Sequence, residues 1–476
     1  MRGDVNVNLV DGGLGNLPKG ADGIHLKVGV AEGGIADQVY EVSSYREAKE
    51  ILISGKLLSA IETYYNEFSK DKKQVPPKMF FTRPVNDVAG SVTEPVKTGT
   101  GIATAIAAGT PTGDRAFVIE ILKGGAPLTA TYRKSQDGGK SWSDEITTPA
   151  SASPINVGAG CTIAFTAGGT PATSFVEGDV WKFDALGPTA SVANVLAAVR
   201  AGKQNYEIRF VHVVGATVKS FWVSCGDIAD DWEANYHQLV KFICEATPRT
   251  TETVAEWSML RINEAKAFMH KRVIAVALEG KSTLTGGNIN LAWVLAAKIA
   301  AARVHESAGF VDKFAFLTIS EIRDWTDLSS KDGGDAWLDT MDDNRLTVAT
   351  QYDNYPGFYF SHANLMSDET SDYKRVQDLR PIDKVRRIAR QKMMRFLESP
   401  AHPEAGIGGI QNLKAEVDAA IAGEMERRGD KEIDSHEFEI DPNQDVVSTG
   451  EVYGMIHVYK IGTMEKITVD VGYKSE

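Results

Sequence analysis

Hydrophobic and polar positions alternate between strand and helix periods along the chain, with one long interruption. Residues 39–42 form a strand-like run, helical spacing follows at 45–53 and 57–68, and 78–82 read as a strand. Beyond the interruption, a helix at 190–201 leads into a strand at 206–213 and helical regions at 218–246 and 251–269. The run Arg272-Val273-Ile274-Ala275-Val276-Ala277-Leu278 is continuously apolar, the pattern of a strand covered on both faces. A helix at 291–305 and strands at 346–351 and 358–362 complete the series. This alternation predicts one α/β core domain, residues 31–84 and 188–370, split by an insertion. Before it, residues 1–30 read as a Gly-rich arm carrying the alternation Val5-Asn6-Val7-Asn8-Leu9-Val10.

The insertion, 85–187, is built differently. Gly, Ala, Thr and Ser dominate, helix patterns vanish, and alternating runs such as Ala116-Phe117-Val118-Ile119-Glu120-Ile121 lie between turn residues. That composition predicts an inserted all-β domain. Ser135-Gln136-Asp137-Gly138-Gly139-Lys140-Ser141-Trp142 matches the Asp-box hairpin, in which Asp ties down the turn and Trp packs beneath it. Asp boxes occur in glycan-cleaving propellers, but a propeller repeats the motif and this chain carries one copy. The motif is read here as structural, with glycan or receptor binding by the inserted domain as the alternative function.

Residues 371–476 change character again, to an α+β pattern. A basic helix is expected at 380–397, an acidic helix at 411–428, and strands after that. On the basic helix Ile382, Val385, Ala389, Met393 and Phe396 form an inward apolar stripe. Lys384, Arg387 and Arg395 form another stripe, with Arg386 and Arg390 beside it. The last alternation, Ile467, Val469, Val471 and Tyr473, needs a partner edge in its own subunit or a neighbour.

Composition narrows the chemistry. A net charge of −13 over 476 residues argues against a dedicated nucleic-acid binder. Three scattered cysteines, Cys161, Cys225 and Cys244, suit reduced buried thiols better than a disulfide framework or zinc site. No signal-peptide core opens the sequence, and the apolar helix near 291–305 is too short to span a bilayer. The expectation is a soluble protein with no direct membrane insertion.

Catalytic motifs fail one by one. Gly280-Lys281-Ser282-Thr283 after an apolar strand suggests a phosphate loop, the less favoured hydrolase alternative. The first glycine of such a loop would fall at Ala275, inside the strand, and Glu279 would repel phosphate. Gly12-Gly13-Leu14-Gly15 lacks the strand and helix of a dinucleotide fingerprint. No histidines pair at i, i+4, and the acidic run Asp434, Glu437, Glu439, Asp441 and Asp445 lacks calcium-loop spacing. No catalytic, metal or cofactor residues are therefore assigned, and the chain is read as a non-enzyme.

The order of parts, with two carboxyl-terminal motifs, resembles the contractile tail sheath proteins of phages, R-type bacteriocins and related injection systems. The motifs are Arg380-Pro381-Ile382-Asp383-Lys384-Val385-Arg386-Arg387, at the entry to a helix, and Glu439-Ile440-Asp441-Pro442-Asn443-Gln444-Asp445-Val446, a turn before the last strands. The resemblance covers residues 1–84 and 188–476 and leaves the inserted domain as a decoration. It implies a helical homo-polymer around an inner tail tube, with baseplate and terminator proteins as further partners. It implies a place in a virion tail or contractile particle assembled in the bacterial host cytoplasm. Strands exchanged between subunits would be Val5, Val7 and Leu9 at one end and Ile467, Val469, Val471 and Tyr473 at the other. The tube interface would be Lys384, Arg386, Arg387, Arg390 and Arg395. Residues 371–476 would then be the α+β sheath domain, with extended arms at both ends.

Overall fold

The computed structural model describes residues 21–68, 78–330, 336–399, 409–465 and 467–469. Its central sheet has six strands: β1 (His25–Val28), β2 (Tyr40–Val42), β3 (Met79–Thr82), β4 (Phe210–Thr217), β5 (Lys241–Ala246) and β6 (Val273–Val276). Their spatial order is β6-β5-β4-β1-β3-β2. All neighbours run parallel except β2, which is antiparallel to β3. Every residue of β1, β3, β5 and β6 is buried, as a sheet covered on both faces requires.

Two expectations need correction. Residues 25–28 are not part of an arm but form β1, the strand from which the sheet grows to either side. His25 and Lys27 broke the apolar run there and hid it; both are fully buried. The helical region expected at 218–246 is the helix Lys219–Tyr236 followed by β5. His237 caps that helix in the left-handed conformation, φ 53°, where glycine is the usual signal.

Helix Ala292–Ala301 is buried along its whole length and packs against helix Lys56–Glu67. Its Lys298 is admitted to the core because Glu67 lies 3.0 Å away and two carbonyls, Glu67 O and Ala315 O, accept at 2.8 and 2.9 Å. Paired and fully hydrogen-bonded, a buried charge is tolerable. Among the described residues no helix is long and apolar enough to cross a membrane.

The strands from Ser91 to Leu186 pair with one another in two sheets around a separate core that includes Phe117, Phe165, Phe175, Trp181 and Phe183. In the Asp-box turn Asp137 accepts from the amides of Lys140 and Ser141 at 2.9 Å each, and Gly138 and Gly139 have φ of 75° and 97°. Arg133 stacks over the Trp142 ring at 4.2 Å. The motif is therefore closed on itself. Arg115 fastens this unit to the α/β core through Glu32, 2.9 Å away.

The third unit comprises helices Val376–Met393 and Ile410–Met425 and the antiparallel hairpin Ser435–Ile440 with Gly454–Tyr459. Its core gathers Val385, Ile388, Ala389, Val417, Ile421, Met425 and Phe438.

Candidate functional site: the basic helix and the hairpin edges

Helix Val376–Met393 carries a carboxylate on its inward face. Val376, Leu379 and Asp383 share one helical stripe, and all three are buried. Asp383 receives the Arg272 guanidinium as a fork, at 3.0 and 3.1 Å, and also contacts the Lys241 ammonium. Burial alone would raise the Asp383 pKa, but Lys241 and Arg272 override it and hold the carboxyl well below its usual range. Arg272 reaches Glu233 at 2.6 Å, and Glu233 in turn meets Arg386 at 2.7 Å. A continuous charge network thus joins the sheet's amino-terminal end to the basic helix.

The outward face divides the predicted tube residues into two groups. Lys384 and Arg387 are turned to partners within the subunit. Lys384 sits 3.0 Å from Asp22 and 2.6 Å from Glu432, leaving 15% of its side chain exposed, while Arg387 contacts the other Asp22 oxygen. Arg386, Arg390 and Arg395 are exposed. Arg395 pairs with Glu416 at 3.0 Å on the acidic helix, and Arg390 makes no ion pair among the described residues. Sequence reasoning missed Asp383, Asp22, Glu233 and Glu432. A carboxylate on an otherwise apolar stripe was the available signal for Asp383; Asp22 had none, being at the other end of the sequence.

The hairpin is two-stranded, and among the described residues no third strand pairs with either edge. Phe438 and Ile456, in register, face the helices, and His436 is braced by Glu426 at 2.5 Å and Asp418 at 3.2 Å. Met455 and Tyr459, alternating with Ile456 on the strand, are exposed, as are Tyr453 before it and Met464 after it. Ile467 and Val469 are each 74% exposed and are not in a strand within this chain. Val5, Val7, Leu9, Val471 and Tyr473 lie outside the described residues. Unpaired edges beside exposed apolar side chains are a liability that ordinary monomers suppress.

Elsewhere, a cavity of about 490 Å³ opens at the carboxyl ends of β4 and β5, lined by Lys56, Gly215, Glu245, Asn290 and Trp293 among others. Beneath it Lys27, His212 and Glu245 form a buried chain, 2.8 Å and 3.2 Å between successive members. The phosphate-loop lookalike Gly280–Thr283 contributes no lining residue to this cavity, and it is not a phosphate loop. Glu279–Ser282 is a strand paired with Asn288–Asn290 and Ile319–Ile322, and it leads to a turn instead of a helix. Among the described residues no cluster of three metal-ligating side chains is present.

This fold is shared, along nearly the whole chain, with solved chains of contractile assemblies. A chain of the PVC sheath complex, an extracellular contractile injection system in its contracted state, superposes with TM-score 0.51 at 10% identity, covering 99% of this chain and 97% of that one. A chain of the contracted anti-feeding prophage baseplate gives TM-score 0.50 at 10% identity, covering 98% and 97%. The "Putative tail sheath protein" of Enterococcus phage phiEF24C is 37% identical over 65 residues, only 14% of this chain and 11% of that relative. The chain belongs to the DUF2586 family, matching its N-terminal domain over residues 2–364 and its C-terminal domain over 372–476.

Proposed function

We propose that this chain is the structural subunit of a contractile sheath. It polymerises helically around an inner tail tube and contracts to drive that tube through a cell envelope, with baseplate and terminator proteins at the ends. The observation that carries the reading is the hairpin with no third strand on either edge among the described residues, set in a fold shared with a sheath chain along nearly the whole chain. Terminal segments of neighbouring copies, Val5, Val7 and Leu9 from one and Ile467, Val469, Val471 and Tyr473 from another, add strands to those edges. Backbone pairing of this kind survives rigid-body rotation of the subunits it links. The particle is a virion tail or related contractile machine, assembled in the host cytoplasm.

The tube-facing role falls to the exposed Arg386, Arg390 and Arg395. Lys384 and Arg387 are committed to Asp22 and serve the tube only indirectly. Exposed charge contacts are weak and screened by salt, which suits a grip that must let go.

Negative-stain microscopy of the purified protein tests the reading. Tubes or stacked rings are expected; a monomer that stays monomeric at high concentration and with the tube protein overturns it. Replacing Arg386, Arg390 and Arg395 with Glu should abolish assembly on the tube, and normal sheath–tube particles would remove the tube assignment.

A further inference from the structure

Where the N-terminal arm enters the folded subunit, the chain is held by more than β1. Ala21–Gly23 is a single 3-10 turn. Gly23 lies so close to Ala300 that a Cβ would come within 2.7 Å of its backbone, so only glycine fits. His25 Nδ1 is 2.6 Å from the Gly23 carbonyl, and the Ile24 carbonyl accepts from the Arg209 amide at 2.9 Å. These contacts fix the root to the α/β core.

Asp22 connects the same root to a different unit. Its carboxylate is shared by Lys384 and Arg387, one helical turn apart on Val376–Met393. Lys384 continues to Glu432, in the segment between the acidic helix and the hairpin. Arg380 underlies the turn, donating to the Ala302 and Arg303 carbonyls at 3.2 and 3.1 Å. Burial would raise the Asp22 pKa, yet Arg387 and Lys384 hold it below the ordinary carboxylate value.

We propose that Asp22, Lys384 and Arg387 form a charge latch that fastens the arm's root to the carboxyl-terminal helix, so that a pull on the arm loads the core and the hairpin unit together. The load path rests on the sheath reading above; the latch itself does not. The geometry gives the latch a clear purpose. An arm paired to a neighbour's hairpin would otherwise pull on the α/β core alone, through β1 and the turn that precedes it. Through Asp22 the pull reaches the helix that positions this subunit's own hairpin, so tension passes from one exchanged joint to the next.

Two measurements on the full-length chain decide it. The first is amide hydrogen exchange over residues 21–28. Asp22→Asn should speed exchange there by about tenfold, as losing a charge-assisted hydrogen bond lowers the local opening cost, while leaving the inserted β sheets unchanged. Asp22→Glu, which keeps the carboxylate, should stay within about twofold. Should Asp22→Asn fail to fold, Lys384→Gln offers a milder cut with about a threefold effect, since Arg387 still holds Asp22. The second is the length of contracted polymers after shear, which Asp22→Asn should shorten about twofold. Unchanged exchange in the variants overturns the latch. Faster exchange with unchanged polymer length overturns the load path. A wild-type chain that never polymerises overturns the sheath reading, and with it the load path, while exchange still decides the latch.

Discussion

Strand β5 carries a buried charge cluster at each end, and the two are built to opposite effect. At its amino-terminal end Lys241 and Arg272 surround Asp383, which comes from the basic helix, a separate unit. At its carboxyl-terminal end Glu245 meets His212 and, through it, Lys27, all from the sheet itself. In the first cluster attraction exceeds desolvation at Asp383, which stays ionised far into acid, whereas at Lys241 burial outweighs the pull of Asp383 and lowers the ammonium to about 8, still charged at neutral pH. In the second desolvation dominates: burial raises Glu245 to about 7 and lowers Lys27 to about 7. One cluster docks two units by charge. The other keeps charge marginal, as expected where nothing external has to be held.

The sharpest way to break this contrast is to remove Asp383. Asp383→Ala leaves Lys241 and Arg272 buried without their shared counter-charge, and breaking a buried pair in this way costs about 3–5 kcal/mol. Urea unfolding should register that loss, with exchange in Val376–Met393 rising first. A loss under about 1 kcal/mol would mean the network does not dock the helix. The pH sign follows from the depressed pKa: the Asp383 contribution is present above its unfolded value of 3.8 and is lost as pH falls through the folded value.

The carboxyl-terminal cluster should behave in the reverse sense. Glu245 is raised from 4.5 to about 7, so its contribution is present below 4.5 and disappears as pH rises through about 7. The change is worth up to about 3 kcal/mol. Lys27, lowered from 10.5, adds stability only as pH climbs above about 7, and His212, held well below 6.5 by burial, contributes in the opposite sense to Glu245 below neutrality. Glu245→Gln should flatten the limb between pH 5 and 7 in urea titrations. An unchanged slope there would show that Glu245 is not the titrating group.

The same contrast explains what the sequence could and could not disclose. The inserted sheets were legible because composition changes abruptly at both borders, and the Asp box because its tie is local, Asp137 to Ser141. Helix Val254–Lys266 falls within the region expected at 251–269, and the structure closes its start with a reciprocal cap between Thr253 and Glu256. β1 was not legible, since a four-residue strand interrupted by His25 and Lys27 has no periodic signature; only burial between β3 and β4 makes it a strand. Of the five basic residues assigned to a tube, four lie on helix Val376–Met393 as their spacing reads, and Arg395 falls in the 3-10 turn Met394–Phe396 that follows it. That Lys384 and Arg387 turn to Asp22 could not be read, because that pairing exists only once β1 and the helix are packed together.

A smaller effect probes the hairpin. His436, with 7% of its side chain exposed, faces Glu426 and Asp418 through its two ring nitrogens and ties the hairpin to the acidic helix. His436→Ala should cost about 1–3 kcal/mol and raise exchange in Ser435–Ile440 without touching the central sheet. Equal changes in β5 would mean that the hairpin unit and the sheet unfold as one body, and the two-unit view of the docking cluster would have to be abandoned.

Lys281→Ala should do least, and that near-silence bears on the second cluster. Lys281 is exposed on the middle strand of a small sheet, opposite Asn288 and Glu321, and makes no ion pair among the described residues. Glu279 and Asn288 from the same sheet line the cavity above Glu245. If the Gly280–Thr283 segment were a phosphate loop, Lys281 would be its cation, and its loss would remove any thermal shift produced by a nucleoside triphosphate with magnesium. With a strand where the phosphate loop should be, no such shift is expected in the wild type, and stability should change by no more than about 0.5 kcal/mol in the variant. A triphosphate-dependent shift that vanishes in Lys281→Ala would turn the carboxyl-terminal end of β5 into a working site and reverse the comparison.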